Sequence, residues 1–105
     1  MRVTISHNRP KAEVIKSVDR SFDKMFQDVA GLPVTVFVQQ KSWQGSTLNF
    51  ALSAKWGLLN TPIKGTVVVT DDDVTIDADL GMLERLVPEK TVRDMIGTRV
   101  KGLLK

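Results

Sequence analysis

The sequence predicts an α+β fold: a single antiparallel β-sheet in the order strand–helix–four strands–helix, with two helices packed on one face. Three observations predict it. Between Leu48 and Leu80, three consecutive segments place apolar residues on every second position, so each has one face to bury. One segment before this stretch and one after it repeat apolar residues at spacings of three and four, the pattern of an amphipathic helix. The breaks between the segments carry turn chemistry and no linker composition. A sheet with one apolar face needs a cover, and the two helices supply it.

The elements follow in order. Arg2 to Ser6 reads as a short strand, with Val3 and Ile5 on one face and Arg2 and Thr4 on the other. In the helix that follows, Asn8 is expected as N-cap and Pro10 in the first turn, where its missing N–H costs nothing. Ile15, Val18, Phe22, Met25 and Val29 form the apolar stripe, with Phe26 beside it; Gly31 stops the helix and Pro33 lies just beyond. Val34, Val36 and Val38 then alternate with Thr35, Phe37 and Gln39, giving a strand that enters the meander at about Lys41.

Within the meander, Leu48, Phe50, Leu52 and Ala54 share one face, as do Ile63, Val67 and Val69 in the next strand. Gln44-Gly45-Ser46 and Asp71-Asp72-Asp73 are expected turns, and Asn60-Thr61-Pro62 is expected to break the pairing of the two middle strands. Val74, Ile76, Ala78 and Leu80 oppose Thr75, Asp77 and Asp79. A slip of one residue would bury Asp77 and Asp79, so the register is strongly specified. Gly81 ends the strand, and Met82, Leu83, Leu86 and Val87 form a short apolar connector. Pro88 opens the last helix, with Val92, Met95, Ile96, Val100, Leu103 and Leu104 inside and Arg93, Arg99, Lys101 and Lys105 outside.

Length and composition bound the function. At 105 residues, the chain is expected to be one domain spanning 1–105. Without cysteine, disulfides, thiolate metal sites and a catalytic Cys are excluded, and a reducing cytoplasm is the expected setting. The N-terminal segment lacks the apolar run of a signal peptide, and no stretch is long enough to span a membrane. A net charge of +3 is too small a surplus to point to nucleic acid.

Few residues carry candidate chemistry. His7 is the sole histidine; it reads as a hydrogen-bonding residue at the strand-to-helix corner or as a general base, and a base would need an orienting partner. Asp71, Asp72, Asp73, Asp77 and Asp79 bring together carboxylates of the kind that hold hard cations, but without the Gly and closing Glu of an EF-hand loop. An acidic turn and a solvated strand face account for them, so no metal and no cofactor is expected. Trp43 and Trp56 flank the central hairpin and read as core or edge cover, or as stacking surfaces for an apolar ligand. Phe37 lies opposite the three valines, where it is covered by a loop or another subunit, or belongs to an exposed binding patch.

Several motifs together resemble a known family. VTISHNRPKAEVIKSV, the hairpin WQGSTLNF with its W-x-G-x-x-L-x-F pattern, and GTVVVTDDDVTIDADLGMLERL followed by a helix ending in leucines and lysines are similar to polyhydroxyalkanoic acid system proteins. The resemblance covers nearly the whole chain. Gly81-Met82 departs from it, standing where a Pro or a bulky apolar residue is expected after the strand's Leu. The resemblance implies a small bacterial protein linked to polyhydroxyalkanoate synthesis and its granules, with no catalytic residues to carry over. The element order also resembles a reduced helix-grip fold, whose START-like members hold apolar ligands between sheet and helix.

The resulting expectation is a non-enzymatic accessory protein that binds a polyhydroxyalkanoate granule or a granule-associated protein. Its contact residues are expected among Phe37, Trp43, Trp56, Met82, Leu83 and Leu86, which are apolar and close to loops or edges. The alternative is a carrier of an apolar ligand such as a fatty acyl chain, which needs a cavity of a few hundred Å³ between helix and sheet. A homodimer through the edge strand Val34–Gln39 is a further expectation, with Phe37 covered by the second copy.

Overall fold

A computed structural model describes residues 1–26 and 34–104, with only the backbone of Leu86. The elements are β1 (Arg2–Ser6), α1 (Lys11–Met25), β2 (Thr35–Gln44), β3 (Thr47–Trp56), β4 (Leu59–Val69), β5 (Asp73–Asp79), α2 (Leu83–Leu86) and α3 (Glu89–Leu103). The strands form one antiparallel sheet in the order β1-β5-β4-β3-β2. The expected α+β architecture is therefore present, with a short helix, α2, where the sequence pattern suggested only a connector.

Register follows from the alternation. Leu48, Phe50, Leu52 and Ala54 of β3 lie opposite Val67, Gly65, Ile63 and Thr61 of β4, and Val67 and Gly65 in turn face Ile76 and Ala78 of β5. This face carries the core, which α1 completes with Val14, Val18, Phe22 and Met25 and α3 with Val92, Ile96 and Val100. The helical stripe is shifted from the expected one: Val14 is fully buried and Ile15 lies at its border. Pro10, in place of Asn8, occupies the N-cap of α1, and no side chain caps that end. The expected continuation through Val29 to Gly31 lies outside the described residues.

One core position requires glycine. Phe50 pairs across the sheet with Gly65 and leans over it, so a Cβ on Gly65 would lie 2.8 Å from the Phe50 ring and 2.2 Å from the Asp77 carbonyl. Phe50 in turn meets Phe22 of α1 and Phe26 at its C-terminal cap, with ring centroids 5.0 and 5.4 Å away. These three rings join helix to sheet. The opposite sheet face is polar. Thr4 and Thr75 hydroxyls meet at 3.1 Å, and Arg2 Nε bonds Asp77 Oδ2 at 3.2 Å.

The expected break at Asn60-Thr61-Pro62 is corrected. All three residues lie in β4, opposite Lys55, Ala54 and Ser53, and the chain reverses at Gly57-Leu58. Gly57 has φ +60°, as Gly45 has +62° in the preceding hairpin, so both two-residue turns put Gly at the first central position, as type II′ turns do. Pro62 is tolerated because β5 reaches β4 only from Lys64 onward. On that side β4 is still an edge at residue 62, and no ladder donor is lost.

Candidate apolar contact surface

The hairpin joining β3 and β4 builds the site. Trp56 and Leu59 close the ladder as a pair, leaving Gly57 and Leu58 as the tip. Leu58 is fully exposed, Leu59 is exposed and Trp56 is half-buried against the core. The β5–α2 junction sits at the same end: Met82 N donates to Thr61 Oγ1 at 3.0 Å, and Thr61 lies two residues from Leu59. That bond needs a tight approach. Gly81, at φ +57°, would place a Cβ 2.7 Å from Thr61 Oγ1 and 2.9 Å from the Pro62 carbonyl. The departure of Gly81-Met82 from the family pattern thus has a local physical cause in this fold. Met82 itself is 50% exposed.

Phe37 of β2 is 54% exposed and pairs with Ser53, three residues before Trp56, on the polar face of the sheet. Six large apolar residues are exposed among those described, and five of them, Phe37, Val38, Leu58, Leu59 and Met82, lie in the half of the molecule that ends at this hairpin. Single exposed apolar side chains need no explanation, but a group at one end of a molecule marks a contact surface. The sequence pattern does not single out Leu58 and Leu59, because Asn60-Thr61-Pro62 next to them carries the stronger turn chemistry.

The other predicted residues separate. Leu83 is 2% exposed and packs in the core, so it is withdrawn from the contact surface. The side chain of Leu86 lies outside the described residues. Trp43 sits at the far end of β3 from Trp56, opposite Leu48. It is half-buried, and its Nε1 donates to Asp19 Oδ1 at 2.9 Å. Lys41 reaches the same aspartate, with Nζ 2.9 Å from Oδ1 and 2.8 Å from the main-chain oxygen, and stands 5.7 Å over the Phe22 ring. The Lys41 ammonium, with the Trp43 indole N–H, holds the Asp19 carboxyl below its ordinary pKa.

A bulge puts Lys41 and Trp43 there. Val38 faces Leu52 but Gln40 faces Ala51, so Gln39 is an extra residue in β2. It shifts the alternation by one, turning Lys41 and Trp43 onto the face that Val36 and Val38 occupy before it. The expected strict alternation holds only up to Val38.

His7 has both ring nitrogens engaged. Nδ1 accepts from Arg9 N at 3.2 Å, which leaves Nε2 as the donor to the Thr70 carbonyl at 2.9 Å. His7 N also donates to the Asp72 carbonyl. The residue ties the β1–α1 corner to the β4–β5 turn. The aspartates are dispersed: Asp73 Oδ1 accepts from Thr70 Oγ1, Asp77 pairs with Arg2, and Asp79 Oδ1 accepts from Gly81 N. No cluster of three His, Asp or Glu residues suited to a metal occurs among the described residues.

A hollow of about 320 Å³ opens between the end of α1 and strands β2 and β3, with Phe22, Phe26, Val36, Val38 and Leu52 on its walls. Its size is within the range of small-ligand sites. No described helix is long and apolar enough to cross a membrane.

Comparison with known proteins adds one finding. A family model described as "Putative polyhydroxyalkanoic acid system protein" matches residues 1–104. No curated protein and no solved structure matches the chain. With the match extending over nearly every residue, from the β1–α1 corner through the meander to α3, the chain belongs to this family of polyhydroxyalkanoic acid system proteins.

Proposed function

We propose that this protein is a non-enzymatic accessory factor of polyhydroxyalkanoate metabolism that docks on an apolar surface, that of the granule, through the β3–β4 hairpin. The observation that carries the reading is Leu58, fully exposed at the tip of a two-residue turn with Leu59, Trp56 and Met82 at the same end. A leucine held there gains nothing from the fold of the monomer. Moving it and Leu59 out of water onto polymer or a coat protein contributes on the order of 3 kcal/mol in total. Phe37 extends the surface towards the β2 edge.

Co-sedimentation with protein-stripped granules tests this. Saturable, salt-resistant pelleting that is lost in Leu58→Ser/Leu59→Ser supports the reading. A protein that stays in the supernatant, with a phasin pelleting alongside as positive control, rejects direct granule contact.

A second reading is favoured by the hollow beside Phe22 and Phe26: a carrier of a small apolar ligand such as an acyl chain. Native mass spectrometry of the purified protein decides it. Bound lipid that disappears in Val36→Phe supports the carrier, and a bare protein mass rejects it.

A further inference from the structure

β1 ends the sheet on the side away from β2. Its ladder with β5 is fixed at both ends, where Ala78 N donates to the Met1 carbonyl and His7 N to the Asp72 carbonyl, each at 2.8 Å. Bonded and non-bonded residues alternate along an antiparallel ladder. Met1, Val3, Ile5 and His7 therefore direct their backbone groups at β5, while Arg2, Thr4 and Ser6 direct theirs outward. That outward row pairs with no strand among the described residues.

Helix α3 runs beside this edge, leaving an open groove of about 400 Å³ between β1 and the row Arg93, Gly97 and Lys101, with Asp94 and Thr98 alongside. Past Lys101 the groove continues to Asn8. Gly97 forms its floor. A Cβ there would stand 3.8 Å from Val3 Cγ1, an ordinary contact, so packing in the monomer does not require glycine. Yet a glycine inside a helix weakens it relative to alanine. What its missing side chain does is keep the groove open.

We propose that the β1–α3 groove takes up an extended acidic segment of a partner polypeptide, which joins the sheet as a further strand beside β1. The outward N–H and C=O groups of Arg2, Thr4 and Ser6 supply the ladder, as in strand addition generally. On the α3 side of the groove the cations Arg93 and Lys101 outnumber Asp94, which selects for carboxylates. Arg93 and Lys101 are separated by two helical turns and more, roughly 12 Å along the axis. Four strand residues span about 13 Å and return the side chain to the same face. The segment thus carries acids at its first and fifth positions and an apolar residue at the third, over Gly97. A second copy of this chain is a poorer occupant, because its own β1, Arg-Val-Thr-Ile-Ser, brings another cation and no acid.

The test is a titration of isotope-labelled protein with a synthetic peptide centred on Glu-Thr-Val-Thr-Glu, followed by amide NMR. The expected result is shifts confined to Arg2–Ser6 and the facing row of α3, with exchange of the Thr4 and Ser6 amides slowed about tenfold or more. Binding weakens about tenfold in Arg93→Glu/Lys101→Glu. It is lost in Gly97→Leu, which fills the groove while favouring the helix and so keeps the fold. The proposal is overturned by the absence of shifts at millimolar peptide, by equal binding of the Lys-Thr-Val-Thr-Lys peptide, or by undiminished binding to Gly97→Leu. It is also overturned if Thr4 and Ser6 become protected with rising protein concentration alone, which would give the edge to a second copy. The groove lies apart from the β3–β4 hairpin, so neither outcome bears on granule docking.

Discussion

Asp19 links α1 to β2 through two side chains, and its titration has a definite sign. Its pKa is lowered in the folded protein, first by the Lys41 hydrogen bond and then by that of Trp43. A carboxylate with a depressed folded pKa adds stability that is fully present above its unfolded pKa and is lost as pH falls through the folded value. Asp19→Asn should therefore be less stable than the parent at neutral pH, with the gap closing under acid; parallel urea titrations across pH measure it. The site is half-exposed, so the gap is small. His7→Ala removes the bonds to Thr70 and Arg9 and should cost about 1–2 kcal/mol by the same assay, with the fold retained. These roles were only partly legible in the sequence. His7 at a strand-to-helix corner suggested a hydrogen-bonding post. Nothing in the pattern near Trp43 announced Asp19, because the pair is 24 positions apart and meets only after the bulge turns the indole inward.

At the scale of elements, alternation read the sheet well where both neighbours demand it. Strands β3, β4 and β5 have apolar residues in register across the ladder, and a slip would bury Asp77 and Asp79. Edges obey weaker constraints. In β2 the extra residue Gln39 carries no glycine or proline to reveal it, and Gln39, Gln40 and Lys41 are all exposed, so no burial pattern fixes their phase. Pro62 misled in the opposite direction. It reads as a breaker, yet it occupies a part of β4 that β5 has not reached. Arg99 is a third case. It lies on the basic side of α3, but its Nη1 donates to the Lys24 carbonyl at 3.0 Å, at the C-terminal end of α1. A cation there serves the dipole of the neighbouring helix. The tightest element-level constraint is Gly65, where a methyl group collides with main chain of β5. Gly65→Ala should destabilise by about 3 kcal/mol or more, measured by thermal melting, because backbone cannot yield as a side-chain end can.

For the whole molecule, stability and the proposed contact surface belong to different parts. The core lies between the sheet and helices α1 and α3, whereas Leu58 and Leu59 project from one end. Leu58→Ser/Leu59→Ser should accordingly change unfolding stability by no more than about 0.5 kcal/mol while removing granule binding, and chemical denaturation beside co-sedimentation checks both. The β4–β5 turn, Thr70 to Asp73, is at the opposite end of β4 and is acidic. An apolar end and a charged end give the protein a direction relative to any apolar surface it meets. The absence of cysteine allows that direction to be measured with a single label. Leu58→Cys and, separately, Asp72→Cys would carry an environment-sensitive fluorophore, and each labelled protein would be mixed with protein-stripped granules. Granule docking through the hairpin predicts a blue-shifted, brighter signal from position 58 and an unchanged one from position 72. Equal responses at the two positions, or a silent label at 58 on protein that pellets with the granules, would contradict it.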